Sequence, residues 1–356
     1  MANLQTEWSE TELLEDEPIV EPLVVRGRRC HGGFDAGGRY VSPRTRFRVP
    51  ATAAWREQHR AQFGTEIIDI PLETWPPSFP NVAQAKLLLR NGVPQPIITV
   101  LTRIGTVEGF GGLIREVAVP DRQRFFVEDI RGTATEHLDR GLFEAHARDE
   151  TGWREEAGHR DMWFAARDVA FDTPFTEDQS AEMMARMGIP LPGSADADPA
   201  AVRARAEAAR AFPQLDLGLE SMLQRMIGLL LIEISAFRLF QWAETVLSDS
   251  DLVAGDGEAA RIVSYIRQDE TPHVEYLKTT LSEMRDRTFV TESGGTLPGT
   301  EVIGTLWDRA LALSLGANRA DNRARTQREI EHALAGHPRG ADLLAELREL
   351  DAEVAA

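Results

Sequence analysis

Along the first 95 residues the apolar positions follow no long helical period. They are interleaved with Gly, Pro and Arg in runs such as Arg26-Gly-Arg-Arg-Cys-His-Gly-Gly-Phe34 and Trp75-Pro-Pro77. Such segments predict hairpins and wrapping loops, with one short helix near Val82–Leu89. From about residue 96 the pattern turns helical. Pro96 opens an apolar run, Ile97–Val119, that stops before Pro120 and Asp121. A polar stretch follows in which Phe125-Phe-Val-Glu-Asp-Ile130 predicts a short helix of its own. Leu142–Phe171 has no proline and places Trp153, Glu156, His159 and Trp163 at helical spacing. The longest clean helix runs from Leu215 to Leu247. The next, Glu258–Arg287, carries Val263, Ile266, Glu270, His273, Val274 and Leu277 on one face. Three amphipathic segments fill the tail, split near Gly316 and Asn318 and by Gly336-His-Pro338. Strand signals are nearly absent after residue 95. The pattern predicts a mostly α protein.

Charge and cysteine content narrow the setting. The formal net charge is −18, which disfavours nucleic acid and anionic membrane surfaces as partners. Part of it lies in an acidic, solvated arm over residues 1–21. The single cysteine, Cys30, has no internal disulfide partner and fits a reducing cytoplasm. No basic segment followed by an apolar stretch opens the chain, so no signal peptide is expected. The most apolar window, Met226–Ala243, contains Glu233 and Arg238, which favours a buried soluble helix over a membrane span.

Two Glu-x-x-His motifs carry the chemistry: Glu156-Ala-Gly-His159 and Glu270-Thr-Pro-His273. Residues three apart on a helix share a face, so each pair can offer an oxygen and a nitrogen to one ion. Glu233 has Leu229, Leu230, Ala236, Phe237 and Phe240 as helical neighbours, surroundings in which an unpaired carboxylate is costly. Either an arginine such as Arg238 pairs with it, or it is protonated, or it binds metal. A matching acid is expected upstream of Glu156. Glu108, in the apolar stretch Ile104–Ile114 among Gly105, Gly111 and Gly112, is favoured. Glu128, flanked by Arg124 and Arg131, is the alternative, and Glu136 and Glu144 read as surface charges. Asp149, Asp269 and Arg160 are near enough to the motifs to support the ligands, or are simply exposed. Cys30-His31 reads as a turn pair. Trp153, Trp163 and Trp242 read as packing residues.

One Glu on each odd helix and Glu-x-x-His on each even helix resembles the ferritin-like di-iron carboxylate superfamily. That resemblance implies a four-helix bundle over residues 96–287, with a linker at about 189–200. An acidic arm and wrapping segment would precede it over 1–95, and a helical extension would follow over 288–356. It also implies a metal set of Glu108 (or Glu128), Glu156, His159, Glu233, Glu270 and His273. Pro272 departs from the pattern, because it removes a backbone donor and kinks the helix at His273. Four carboxylates are neutralised by two divalent cations. Hard oxygen with imidazole suits iron, or manganese, or a mixed pair. The substantial segments flanking the bundle favour an O2-activating oxidase or oxygenase acting on a small organic substrate. A ferroxidase or peroxide scavenger is the second reading, and a metal-free helical scaffold the third. The radical tyrosine of ribonucleotide reductase small subunits, which the chain resembles in length, corresponds to Trp163, so a tyrosyl-radical role is not expected. O2 and the organic substrate are the expected partners, with a homodimer left open.

Overall fold

The computed structural model describes residues 4–171 and 199–355. All but the end of the expected linker lies outside the described residues. The architecture is mostly helical. Helix α1 (Glu10–Leu13) is fixed by a capping box between Ser9 and Glu12. Strands β1 (Glu21–Val25), β2 (Arg28–Phe34) and β3 (Tyr40–Val41) form a small antiparallel sheet in that order.

A long helix, α2 (Arg48–Phe63), then appears where the sequence showed no amphipathic period. Its buried face explains the difference. Arg48, Thr52 and His59 point inward together with Ala51 and Trp55, so polar residues interrupt the apolar stripe. Helix α3 (Val82–Arg90) follows, capped by Asn81 and Gln84.

Helix α4 (Gln95–Glu108) opens on Pro94 and Pro96 and stops at Gly109, short of the whole apolar run, which continues as a 3-10 segment over Gly111–Val117. Of the stretch 125–130, only Phe125 is helical, as the end of a 3-10 turn. The region 142–171 is two helices, α5 (Phe143–Thr151) and α6 (His159–Phe171). Gly152 breaks them apart with φ of 83°, a left-handed conformation suited to glycine. Beside it, a Cβ on Gly158 would fall 2.2 Å from the Gly152 nitrogen. Strand β2 ties down the connection, because the His31 N–H donates to the Ala157 carbonyl at 3.2 Å and the Ala157 N–H to the Arg29 carbonyl at 3.0 Å.

Helices α7 (Pro199–Ala208) and α8 (Leu217–Leu247) come next. Helix α9 (Glu258–Asp269) and helix α10 (Thr271–Arg285) meet at Glu270, where Pro272 occupies the first turn of α10. Proline is tolerated there because the first-turn N–H groups have no partner within the helix. A hairpin, β4 (Thr288–Val290) with β5 (Thr296–Pro298), leads into α11 (Gly299–Leu313). Through a π turn at Ser314–Asn318 the chain continues into α12 (Arg319–Leu334), and α13 (Gly340–Ala355) closes the fold.

Two apolar cores lie end to end. One gathers Phe143, Leu223, Leu230, Tyr276 and Leu281. The other gathers Leu101, Trp163, Phe240, Val263 and Ile266. Each long segment crosses from one core to the other at an acid. The crossing falls between Ile104 and Ile114 around Glu108, between Phe143 and Ala157 around Glu150, between Ile234 and Ala236 beside Glu233, and between Ile266 and Val274 around Glu270. The polar residues therefore form a layer between two greasy ends. Gln95–Val117 and Leu217–Leu247 are long and apolar enough to cross a membrane by length and composition. Their most apolar windows are 56% and 61% buried inside this fold, as core helices are.

Candidate metal centre

The layer between the cores holds Glu108, His146, Glu150, His159, Glu233, Glu270 and His273. Two overlapping groups have ligand atoms within 4.8 Å of one another: His146, Glu150, Glu233 and His273, and Glu150, His159, Glu270 and His273. All the residues of these two groups are buried. Helix α4 brings Glu108 to the same layer, close enough to Glu150 for the two carboxyls to influence each other. The glycines around Glu108 serve this approach. A Cβ on Gly111 would meet Glu150 Cγ at 2.5 Å, and one on Gly105 would meet the Trp163 and Phe164 side chains.

Glu156 stands apart from the cluster. The break at Gly152 turns residues 153–156 into a tight turn in which Trp153 and Glu156 exchange both backbone hydrogen bonds at 3.0 Å. Its carboxylate pairs with the part-exposed Arg29 at 3.2 Å. The place expected for Glu156 is filled by Glu150, six residues earlier. Glu128 is also elsewhere, accepting from the Thr288 N–H and hydroxyl at 2.8 and 2.9 Å. Arg160 is exposed. Arg238 donates to the carbonyls of Glu73 and Trp75 and not to Glu233. Glu144 and Glu136 pair with Arg148 and Arg140.

A sequence signal for Glu150 exists. The tripeptide Asp-Glu-Thr occurs at 149–151 and again at 269–271, and it aligns Glu150 with Glu270. His146 was missed with it. This histidine is four residues before Glu150 and so on the same helical face.

Each histidine turns one nitrogen toward the carboxylates and the other toward an outer partner. His273 Nδ1 lies 2.6 Å from Glu270 and 3.3 Å from Glu150, while its Nε2 meets Asp149 at 2.9 Å. His159 Nδ1 lies 2.7 Å from Glu270 and 3.2 Å from Glu150, with Asp269 3.5 Å beyond Nε2. His146 Nε2 lies 3.4 Å from Glu233, and its Nδ1 faces the Tyr276 hydroxyl at 3.2 Å. Outer partners of this kind fix the ring orientation and raise the basicity of a metal-ligating histidine. They are themselves anchored. Asp149 is held by buried Arg44, at 2.7 Å from Nε, and by Arg48 at 2.8 Å. Asp269 accepts from the Tyr40 hydroxyl at 2.8 Å and meets buried His31 at 3.3 Å. His31 is thus a supporting residue of the centre and not a turn residue.

The electrostatics show how the carboxylates coexist. Burial, together with Glu150 and Glu270, pushes the Glu108 carboxyl well above the usual carboxylate range. Burial likewise raises Glu233, with Glu270 and Glu150 adding to the effect. Against the cost of burial, His159 and His273 hold Glu270 well below that range. The same attraction, chiefly from Glu270, lifts His273 to about 10 despite its burial. These shifts favour protons on Glu108, Glu233, His159 and His273, which bring positive charge to the layer.

The donor set fits cations in their place. His146 Nε2, Glu150 Oε2 and Glu270 Oε1 are buried without a hydrogen-bond partner, which is costly unless something else satisfies them. The contact between His159 Nδ1 and Glu270 Oε1 is 2.7 Å long yet lacks hydrogen-bond geometry. Neighbouring ligands of one ion, each about 2.1 Å from it, would stand about 3 Å apart in the same way. Among the described residues no arginine or lysine pairs with Glu108, Glu150, Glu233 or Glu270. These buried His/Glu clusters can hold a metal ion.

Comparison with family models, curated proteins and solved structures returns no match for this chain.

Proposed function

We propose that this protein is an O2-activating di-iron oxidase or oxygenase with a ferritin-like site, acting on a small organic substrate. The observation that carries the enzyme reading is a cleft of about 390 Å³ that reaches the centre at Glu108. Its walls include Val100, Ile104 and Val107 from α4 and Ile232 and Leu239 from α8. That size and lining are usual for small-molecule sites. Glu108 is only partly buried, whereas Glu150, Glu233 and Glu270 are at most 3% exposed. Of the four glutamates, Glu108 is the one that lines the cleft.

Glu108, Glu150, Glu270 and His159 Nδ1 would hold one ion. Glu233, His146 and His273 would hold the other, with Glu150 within reach of both. Four carboxylates and neutral imidazoles bring four negative charges, which two divalent cations cancel. Oxygen-rich sites with imidazole suit iron or manganese, and the O2 chemistry favours iron. An iron pair supplies electrons for reducing O2. The chain supplies the rest. Asp149 holds the His273 tautomer, the apolar walls exclude water from the substrate's reactive carbon, and Glu108 can carry a proton at the cleft's inner end.

Loading stripped protein with Fe(II) under argon and then admitting O2 tests the reading. An absorbance change that depends on both iron and O2 is expected, and none would remove it. A ferroxidase with no organic substrate would instead turn over repeated additions of Fe(II). A metal-free scaffold is disfavoured by the buried Glu150, Glu233 and Glu270, which no arginine or lysine among the described residues neutralises.

A further inference from the structure

The cleft that meets Glu108 carries positive charge as well as apolar wall. Four arginines line it: Arg103, Arg238, Arg319 and Arg323. Two of them are already neutralised. Arg103 is bidentate to Glu329 at 2.9 and 3.0 Å, and Arg323 pairs with Asp351. The other two have no carboxylate among the described residues. Arg238 touches only the Glu73 and Trp75 carbonyls, both at 3.4 Å, and its Nε is buried with no partner at all. Arg319 reaches only the Pro77 carbonyl, at 3.4 Å.

In a chain of net charge −18, two unneutralised guanidiniums beside a greasy cleft form a local site for an anion. The spacing along α8 sets the scale. Arg238 is five residues beyond Glu233, or about 7.5 Å along the helix axis. Ala236 and Leu239, between and beside them, give the cleft apolar wall on that helix.

From this arrangement we infer that the cleft binds an amphipathic organic carboxylate. Its acid group lies on Arg238 and Arg319, and its apolar body points toward Glu108. The inference names the substrate class of the site proposed above and rests on that reading for the word substrate. The binding itself does not depend on metal. A guanidinium offers a carboxylate two parallel N–H donors, a match that an alcohol lacks.

Calorimetric titration of the full-length protein with decanoate and, separately, with 1-decanol tests it. Decanoate is expected to bind at least about tenfold tighter than 1-decanol, as a charge-assisted hydrogen bond to a partly desolvated cation would produce. The double variant Arg238→Gln/Arg319→Gln should lose that preference while binding 1-decanol as before, and Arg238→Lys should keep part of it. Circular dichroism of each variant verifies its fold. Equal affinity for the two probes, binding of neither, or an unchanged double variant would overturn the inference. The metal content of the same samples separates the two ideas. Decanoate binding by a protein that takes up no metal removes the oxidase reading alone, and a metal-replete protein indifferent to decanoate removes this one alone.

Discussion

Asp149 Oδ2 lies 2.9 Å from His273 Nε2, so the aspartate beside one central glutamate orients the histidine of the other motif. The relation is reciprocal, because Asp269, beside Glu270, faces His159 Nε2 at 3.5 Å. This crossing ties the two halves of the centre together before any ion binds. Asp149→Asn keeps the shape but removes the charge that fixes the His273 ring. Metal affinity should fall about 10- to 100-fold in a competition titration. The melting temperature should fall as well, since Arg44 and Arg48 lose a buried counter-charge, a change worth about 3–5 kcal/mol.

Glu150 and Glu156 give opposite predictions. Glu150→Gln should abolish binding of the second ion and strongly weaken the first, because both tight groups include this carboxylate. Glu156→Gln should leave metal stoichiometry unchanged and alter stability by no more than about 1 kcal/mol, the usual scale of a surface ion pair. Metal analysis of the two variants, purified side by side, checks the pair.

Gly158 matters through its missing side chain. An added Cβ would fall 2.2 Å from the Gly152 nitrogen and 2.7 Å from the Asp149 carbonyl. Gly158→Ala must displace the connection that carries His159, at a cost of about 1–3 kcal/mol. Denaturant unfolding should show that loss, and metal affinity should drop with it. Gly304→Ala, whose Cβ meets nothing within 4 Å, is the control and should be neutral or slightly stabilising.

Away from the centre, His59 Nε2 meets Asp286 at 2.9 Å where α2 packs on α10. Burial holds the His59 pKa below its ordinary value of 6.5, and Asp286 is lowered too, by Arg285, Thr65 and His59 acting against burial. For His59 the unfolded chain takes up a proton first, so its contribution is complete above pH 6.5 and is lost as pH falls toward the folded value. Asp286 acts in the same direction at lower pH, its contribution fading as pH falls from its ordinary value through the depressed one. Stability measured by urea unfolding should therefore decline from pH 7 to pH 5 in the wild type and decline less steeply in His59→Gln.

Much of this fold was legible in the sequence, and so were five of the seven residues gathered in the polar layer. The long helices, the burial of Glu233 and the break at Pro272 follow from apolar period and proline chemistry. Glu108, His159, Glu233, Glu270 and His273 are brought together as spacing and burial suggested. The rest was hidden for specific reasons. A prolineless stretch from Leu142 to Phe171 reads as one helix, and nothing in its period reveals that Gly152 takes a left-handed turn. In a continuous helix Glu156 and His159 share a face. Once the helix breaks, Glu156 turns outward and Glu150 moves in. His146 and His31 were invisible for another reason. A lone histidine on a helix face or in a hairpin carries no signal until the chain folds it against Glu233 or Asp269. Helix α2 escaped because its inward face is built from Arg48 and His59, residues whose partners, Asp149 and Asp286, lie far along the sequence.

The central question is whether cations take the place of the protons favoured on Glu108, Glu233, His159 and His273. Anaerobic titration of the stripped full-length protein with Fe(II), read by elemental analysis after desalting, measures this directly. The account predicts two ions retained per chain, falling to one or none in Glu150→Gln and His273→Ala. Retention of no iron or manganese by the wild type, or equal retention by wild type and both variants, would contradict it.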